Sequence, residues 1–322
     1  MNKNNDIEMF LASPEIRERT TKNIELSRRN NLKLDIVRRL TDLFNENPLP
    51  EPLAVGKILE ENSEQAIDLI VSDTIKFQKN DHFYVYPIGG VSTSFAQRIV
   101  VSNTDYFDLS IDVIDAALLN RYKAQSKANL SQRGILFYGR QTLTYFISAG
   151  GLKVSSWQHQ VGETNFEDQS CERVRMDEVN DGDLRFNSCS QTMMYEQAET
   201  NVISITLEYK ANKHPFSLMF SAEDFKLKFQ NPSDELDSRV QLSMLLLKKL
   251  NSPAALPVMK KFISHKKHFL RWYAIQQILG IDALQVIDEL QEMSDRDPHP
   301  EVRCAAQKVL KLIEQKELSH AC

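Results

Sequence analysis

Between residues 81 and 230 the chain carries twelve short runs rich in β-branched and aromatic residues, most of them ended by turn formers. HFYVYPI, QRIVVS, YFDLSIDVI, GILFYG, LTYFISA, LKVSSW, RVRMDEV, DLRFNS, TMMYEQ, NVISITLEY, FSLMFS and FKLKF follow at the roughly 8–12-residue spacing of an antiparallel sandwich or barrel. No other feature limits the fold as strongly, because strands this short bury their apolar faces only by pairing with one another. DAALLNRYKAQSKANLSQ (115–132) breaks the pattern and reads as a helix inserted between strands. Ala149-Gly150-Gly151 and Asn180-Asp181-Gly182-Asp183 read as hairpin turns, since Gly, Asn and Asp tolerate the positive φ such turns require.

The flanks have helical texture. In residues 1–80, Ser13 before Pro14 is a helix start with Pro at the first helical position. The helix that follows is polar, with Ile16, Ile24 and Leu26 as sparse apolar points. Leu34, Ile36, Val37, Leu40, Leu43 and Phe44 recur at the spacing of one helix face. ENPLPEP (46–52) breaks that helix, and Ser63 opens another whose apolar set is Ala66, Ile67, Leu69, Ile70, Ile75 and Phe77. From 233 to 322 five further helical segments follow with short connections, the pattern of helices packed antiparallel to their neighbours.

Two of these segments echo each other. LRWYAIQQIL (270–279) aligns with VRCAAQKVLK (302–311), pairing Leu270 with Val302, Arg271 with Arg303, Ala274 with Ala306 and Ile278 with Leu310. Self-similarity at a 32-residue offset marks a helical solenoid. DRDPHPEVRCAAQKVL (295–310) resembles the second-helix signature of HEAT repeats: an Asp and Pro-rich turn, then Val-Arg, Ala-Ala and Leu. SHKKHFLRWYA, the earlier copy, lacks the Asp-Pro turn and places Trp272 and Tyr273 where small residues are usual, so it is degenerate. The resemblance covers about 253–317. It implies that Ala305 and Ala306 permit close helix approach and that Arg303 reaches a carboxylate of an adjacent helix or turn.

The 322 residues have an ordinary soluble balance, 42% hydrophobic and 26% charged, and a net charge of −5. That charge argues against a bulk nucleic-acid binder. No apolar run is long enough to span a membrane, and the N-terminus lacks a signal-peptide core. The four cysteines (171, 189, 304 and 322) are scattered, without a CxxC pair, so reduced thiols in the cytoplasm are expected.

Chemistry is sparse. No GxGxxG, Walker A loop, GxSxG elbow or HExxH occurs. Through strand count and glycine-turn spacing, the middle region resembles cupin-like barrels. Such a resemblance implies a metal held by a His-x-His, a Glu and a distant His, but this region has no HxH. The nearest donor set is His159 and Glu163 with His214 and His82, which a 2-His-1-carboxylate iron site would need to gather. The preferred reading of those residues is as polar loop or strand-end positions. Asp181-Gly182-Asp183 lacks the acidic run of a calcium loop and reads as a turn. KKFISHKKHFLRW (260–272) is a local basic cluster: Lys260, Lys261, Lys266, Lys267 and Arg271 beside Trp272. It reads either as a solvated inter-helix turn with Trp272 in the core or as a dock for an acidic protein segment or a nucleic-acid phosphate run, with Trp272 or Phe269 as an aromatic anchor.

The expectation is an α+β chain of three parts: N-terminal helices (1–80), a central antiparallel sandwich or cupin-like barrel (81–230) and a HEAT-type helical module (233–322). Functionally it reads as a non-enzymatic binding or regulatory protein without a cofactor. The helical module would contact a protein partner, the β region a small molecule or second partner. The alternative is a cupin-like enzyme holding a divalent metal such as iron in the barrel mouth, with the helical module for dimerisation. Whether the chain forms homo-oligomers is open.

Overall fold

A computed structural model describes residues 10–84, 86, 91–127, 134–159, 169–211 and 213–320. They divide into two compact units, Met1–Ser233 and Asp234–Cys322.

The first unit begins with α1 (Pro14–Asn31), α2 (Asp35–Glu46) and α3 (Pro52–Asn80). Ser13 caps α1, its Oγ accepting from Ile16 N at 3.4 Å. The face α1 buries is polar, contrary to the expected apolar points: Thr20, Ser27 and Asn31 are buried, and Leu26 is exposed. It docks through hydrogen bonds. Asn23 donates to Asp81 Oδ2 at 3.1 Å, Asn30 to Asp73 Oδ2 at 2.7 Å, and the Tyr84 hydroxyl to Ser27 Oγ at 2.8 Å. Helix α2 buries the expected stripe of Ile36, Val37, Leu40 and Phe44. Helix α3 starts eleven residues before the expected Ser63, with Pro52 in its first turn. Val55, Ile58, Leu59, Asn62, Ser63, Ala66 and Ile70 form one continuous buried face. Ser63 therefore lies in mid-helix, and its hydroxyl bonds back to the Leu59 carbonyl, the usual way a buried helical serine is satisfied.

Twelve strands follow among the described residues. Their six-stranded sheet has the order β1 (Val91–Ser92), β2 (Ala96–Asn103), β3 (Phe107–Ile114), β10 (Val202–Tyr209), β5 (Thr142–Ser148) and β8 (Leu184–Asn187). A three-stranded sheet orders β12 (Leu227–Pro232), β11 (Phe216–Ser221) and β4 (Gly134–Phe137), and another orders β7 (Cys171–Glu178), β6 (Lys153–His159) and β9 (Gln191–Gln197). All named pairs are antiparallel. The inserted helix is α4 (Ala116–Lys127). Of the HFYVYPI run, His82 and Phe83 sit in the turn after α3, and residues 85, 87 and 88 lie outside the described residues.

Strand alternation gives the large sheet two different faces. Phe107, Leu109, Ile111, Leu143, Ile205, Leu207 and Tyr209 point to one side and join Leu40, Phe44, Leu59 and Ile70 in a single apolar cluster. The N-terminal helices thus belong to the core of the β-rich unit. The opposite face turns toward the small sheets, where Ile114, Phe146 and Val202 meet Val154 and Leu152.

Neither glycine-rich turn makes a hairpin. The corner Ala149–Leu152 passes from β5 in the large sheet to β6 in a small one, and Asn180–Asp183 passes back from β7 to β8. Gly150 and Gly151 have φ of 57° and 65°, and Gly182 has 84°, the positive values that turn glycines adopt, although the strands they join lie in different sheets. The two corners are bonded to each other: Ala149 N donates to Asp181 Oδ1 at 2.7 Å and Val179 N to Leu152 O at 2.9 Å.

The second unit is wholly helical: α5 (Glu235–Lys249), α6 (Ala255–Lys260), α7 (His268–Leu279), a 3₁₀ turn (Ala283–Val286), α8 (Ile287–Arg296) and α9 (Pro300–His320). Met244, Met259, Ala274, Ile275, Ile278, Leu290, Val302 and Ala306 form its core. The paired small residues Ala274 and Ala306 are both fully buried. Among the described residues, no helix is long and apolar enough to cross a membrane.

Candidate functional site

The face of the large sheet that looks away from the helices is polar along one stretch. Alternation puts Asp108, Ser110 and Asp112 of β3, Thr144 of β5, and Thr206 and Glu208 of β10 on that side, with Arg98 of β2 directly across from Asp112. Arg98 clamps Asp112 bidentately, Nε to Oδ1 at 2.6 Å and Nη2 to Oδ2 at 3.0 Å, and its Nη1 donates to Glu208 Oε1 at 2.8 Å. Arg140 Nη1 bonds the other oxygen of Glu208 at 3.1 Å, and its Nη2 bonds the Ser233 carbonyl at 3.0 Å. Lys210 Nζ lies 3.0 Å from Asp108 Oδ1. The Thr206 hydroxyl donates to Asp112 Oδ2 at 2.8 Å and lies 3.2 Å from that of Thr144.

This network is internally neutral: three cations meet three carboxylates. Burial works against the charge of Arg98, but the hydrogen bonds and charges of Asp112 and Glu208 outweigh it and hold the guanidinium above its ordinary value. Nearby, burial raises the phenol of Tyr195, and Asp112 raises it further against the opposing pull of Arg98. The network is partly open to water, with the Arg98 side chain 37% exposed and Asp112 9%. Across from Asp112, Ser204 has a buried hydroxyl without a hydrogen-bond partner in the protein. A guanidinium pair with an unfilled hydroxyl beside it can bind a polar ligand. Sequence reading missed this cluster because its members are scattered from residue 98 to 233, and only strand register brings them together.

The expected metal donors are placed differently. His159, on β6, is buried against Phe137 and Phe220, with ring centroids at 4.8 and 5.7 Å. His214 lies 6.3 Å from it, centroid to centroid, and its Nδ1 is within hydrogen-bond distance of the Phe216 backbone. His82 is exposed in the turn after α3. Glu163 lies outside the described residues. Among the described residues, His82, His159 and His214 do not gather as a metal-sized group. The carboxylates on the polar face of the large sheet pair with Arg98, Arg140 and Lys210. Cys171, Cys189 and Cys304 form no disulfide. Burial pushes the Cys171 thiol up to about 12 and also raises Cys189, against hydrogen bonding from the His214 backbone, so neither is a ready nucleophile.

In the helical unit the basic cluster is partly consumed by the fold. Arg271 is buried and clamps Asp297, Nε to Oδ2 at 2.8 Å and Nη2 to Oδ1 at 2.6 Å, while its Nη1 donates to the His265 and Lys266 carbonyls. Lys267 pairs with Asp237 and Lys260 with Glu289. Trp272 packs against the core. Lys261 and Lys266 are exposed. Arg303 donates to the Asp297 backbone carbonyl at 2.6 Å, where a carboxylate was expected. A cleft of about 290 Å³ among α1, α2 and α3, lined by Asn30, Asp35, Asn62 and Asp73, is at the small end for a ligand site.

No family model matches the chain, and no curated protein matches it. Solved structures similar to part of it include KdgF from a Halomonas species (12% identity, TM-score 0.24, 38% of this chain and 86% of that one). An RmlC-like cupin from Shewanella frigidimarina aligns at 10% identity and TM-score 0.23, over 41% of this chain and 92% of that one. The DMSP lyase DddQ from Ruegeria pomeroyi aligns at 7% identity and TM-score 0.27, over 51% and 75%. Scores this low do not define the fold, which rests on the strand pairing above.

Proposed function

We propose that this chain is a non-enzymatic binding or regulatory protein. Its β-rich unit takes a small polar ligand at the Arg98–Asp112–Glu208–Arg140 network, and its helical unit meets a protein partner. The observation that carries this reading is the internal neutrality of the network. Its acids and bases pair with one another, and the buried Ser204 hydroxyl beside them keeps a free hydrogen-bonding position for a polar ligand. The helical unit is a short, degenerate pair of HEAT-type repeats, supported by the burial of Ala274 and Ala306 at matching positions. Lys261 and Lys266 are exposed and would meet an acidic partner segment.

Native mass spectrometry of the full-length protein tests this. A small-molecule adduct that disappears in Arg98→Leu is expected. An adduct unaffected by Arg98→Leu would overturn the assignment of the network as its site. The second reading is a cupin-like metal enzyme, favoured by the proximity of His159 and His214. It requires a stoichiometric metal that is lost in His159→Ala.

A further inference from the structure

The helical unit contains a cluster that the binding reading does not use. His268 is the first residue of α7, His299 immediately precedes α9, and Glu301 lies in the first turn of α9. One ligand atom from each falls within 4.8 Å of the others, and among the described residues no other group of three His, Cys, Asp or Glu does so. The imidazoles are stacked face to face, centroids 3.6 Å apart and planes 6° from parallel. Two nitrogens on a tetrahedral ion at roughly 2.0–2.1 Å lie about 3.3 Å apart, close to that stacking distance.

The turn that carries His299 is tied down by hydrogen bonds. His299 N donates to Asp297 Oδ1 at 2.8 Å, and Asp297 is locked by the Arg271 clamp. His299 Nδ1 is buried yet has no hydrogen-bond partner in the protein, an arrangement uncommon for a buried ring nitrogen.

We propose that His268, His299 and Glu301 form a binding site for a divalent transition-metal ion such as zinc. The N₂O donor set suits zinc or nickel better than magnesium or calcium, which prefer all-oxygen shells. Bridging α7 to the start of α9, the ion would fasten the two echoing helices at the turn where the earlier repeat lacks the Asp-Pro signature. Parallel rings aim their lone pairs side by side, so binding tilts the two rings out of their stack.

The test is calorimetric titration of zinc chloride into the full-length protein, repeated for His268→Gln, His299→Ala and the double variant His159→Ala/His214→Ala. One zinc per chain is expected. Each helical-unit variant should weaken it by at least the ~10–100-fold that loss of even an outer-shell partner costs. The His159/His214 variant should bind as the parent does. Circular dichroism establishes that the variants fold, and Glu301→Gln, at an exposed position, weakens zinc while leaving both rings in place. Cobalt(II) loaded in place of zinc gives a visible spectrum that vanishes in the same variants. No zinc uptake by the parent protein, or uptake that survives both His268→Gln and His299→Ala within a few-fold, overturns the proposal. Uptake lost only in His159→Ala/His214→Ala assigns the metal to the β-rich unit and overturns it as well.

Discussion

Asp297→Ala should unfold the helical unit far more easily than any surface change. The Arg271 side chain is 9% exposed and that of Asp297 3%, with two charge-assisted hydrogen bonds between them. Removing the carboxylate leaves a buried guanidinium holding only the His265 and Lys266 carbonyls. Breaking a buried ion pair from one side costs roughly 3–5 kcal/mol. The His299 N–H loses its acceptor too, adding about 0.5–2 kcal/mol. At about 4–8 °C per kcal/mol for a domain of this size, the midpoint falls by at least about 12 °C. Thermal unfolding followed by Trp272 fluorescence, in a Trp157→Phe background so that only the helical unit reports, measures it. Replacing both partners, as Arg271→Met/Asp297→Leu, should recover most of the loss, because the stranded charge is what costs. A loss under about 1 kcal/mol in Asp297→Ala would show that the Arg271 guanidinium finds water and is not stranded. The pair also sets an acid limit. Burial raises the Asp297 carboxyl, but the Arg271 and His299 hydrogen bonds and the Arg271 charge outweigh burial and hold it below its ordinary value. Its contribution is complete above the ordinary carboxylate range and is lost as pH falls through the depressed folded value.

Gly150→Ala should destabilise the β-rich unit by roughly 1–3 kcal/mol, read by urea denaturation, because φ there is +57° and a Cβ would stand 2.3 Å from the Thr200 carbonyl oxygen. Ser63→Ala should change stability by less than about 1 kcal/mol, since losing the bond to Leu59 O is offset by better helix propensity; a loss of about 2 kcal/mol would restore Ser63 as a helix start. Because the folded value of His268 lies below its ordinary one, the unfolded chain takes up the proton first as pH falls through about 6.5. Stability of the helical unit should therefore decline from pH 7 toward 5.5, and His268→Gln should flatten that slope, measured by urea midpoints.

Much of the fold was readable because period and turn chemistry act locally. The runs from QRIVVS to FKLKF became strands, the Leu34–Phe44 stripe became the buried face of α2, and the glycine corners kept their positive φ. Partner choice across a turn was not readable. Ala149-Gly150-Gly151 looks alike whether it joins paired strands or carries the chain from one sheet to another, and only long-range packing distinguishes the two. The start of α3 was obscured by ENPLPEP: its prolines read as a break, although Pro52 occupies a first helical turn where no N–H is needed. The candidate site was the least legible. Asp112 and Glu208 are nearly a hundred residues apart and meet through the Arg98 guanidinium, whereas His159 and Glu163 drew notice through proximity in sequence. Arg271 and Trp272 stood out in a basic cluster, yet both serve the core because their helix is buried along that side.

In the proposed reading, the β-rich unit recognises a ligand through the Arg98 network and not through a metal held by His159 and His214. The most direct test of this reading is elemental analysis of the full-length protein after anaerobic loading with iron(II), alongside His159→Ala/His214→Ala and Arg98→Leu. No iron whose retention depends on His159 and His214 is expected, together with a ligand whose binding is lost in Arg98→Leu. One iron per chain, released by His159→Ala/His214→Ala and retained by Arg98→Leu, would contradict it.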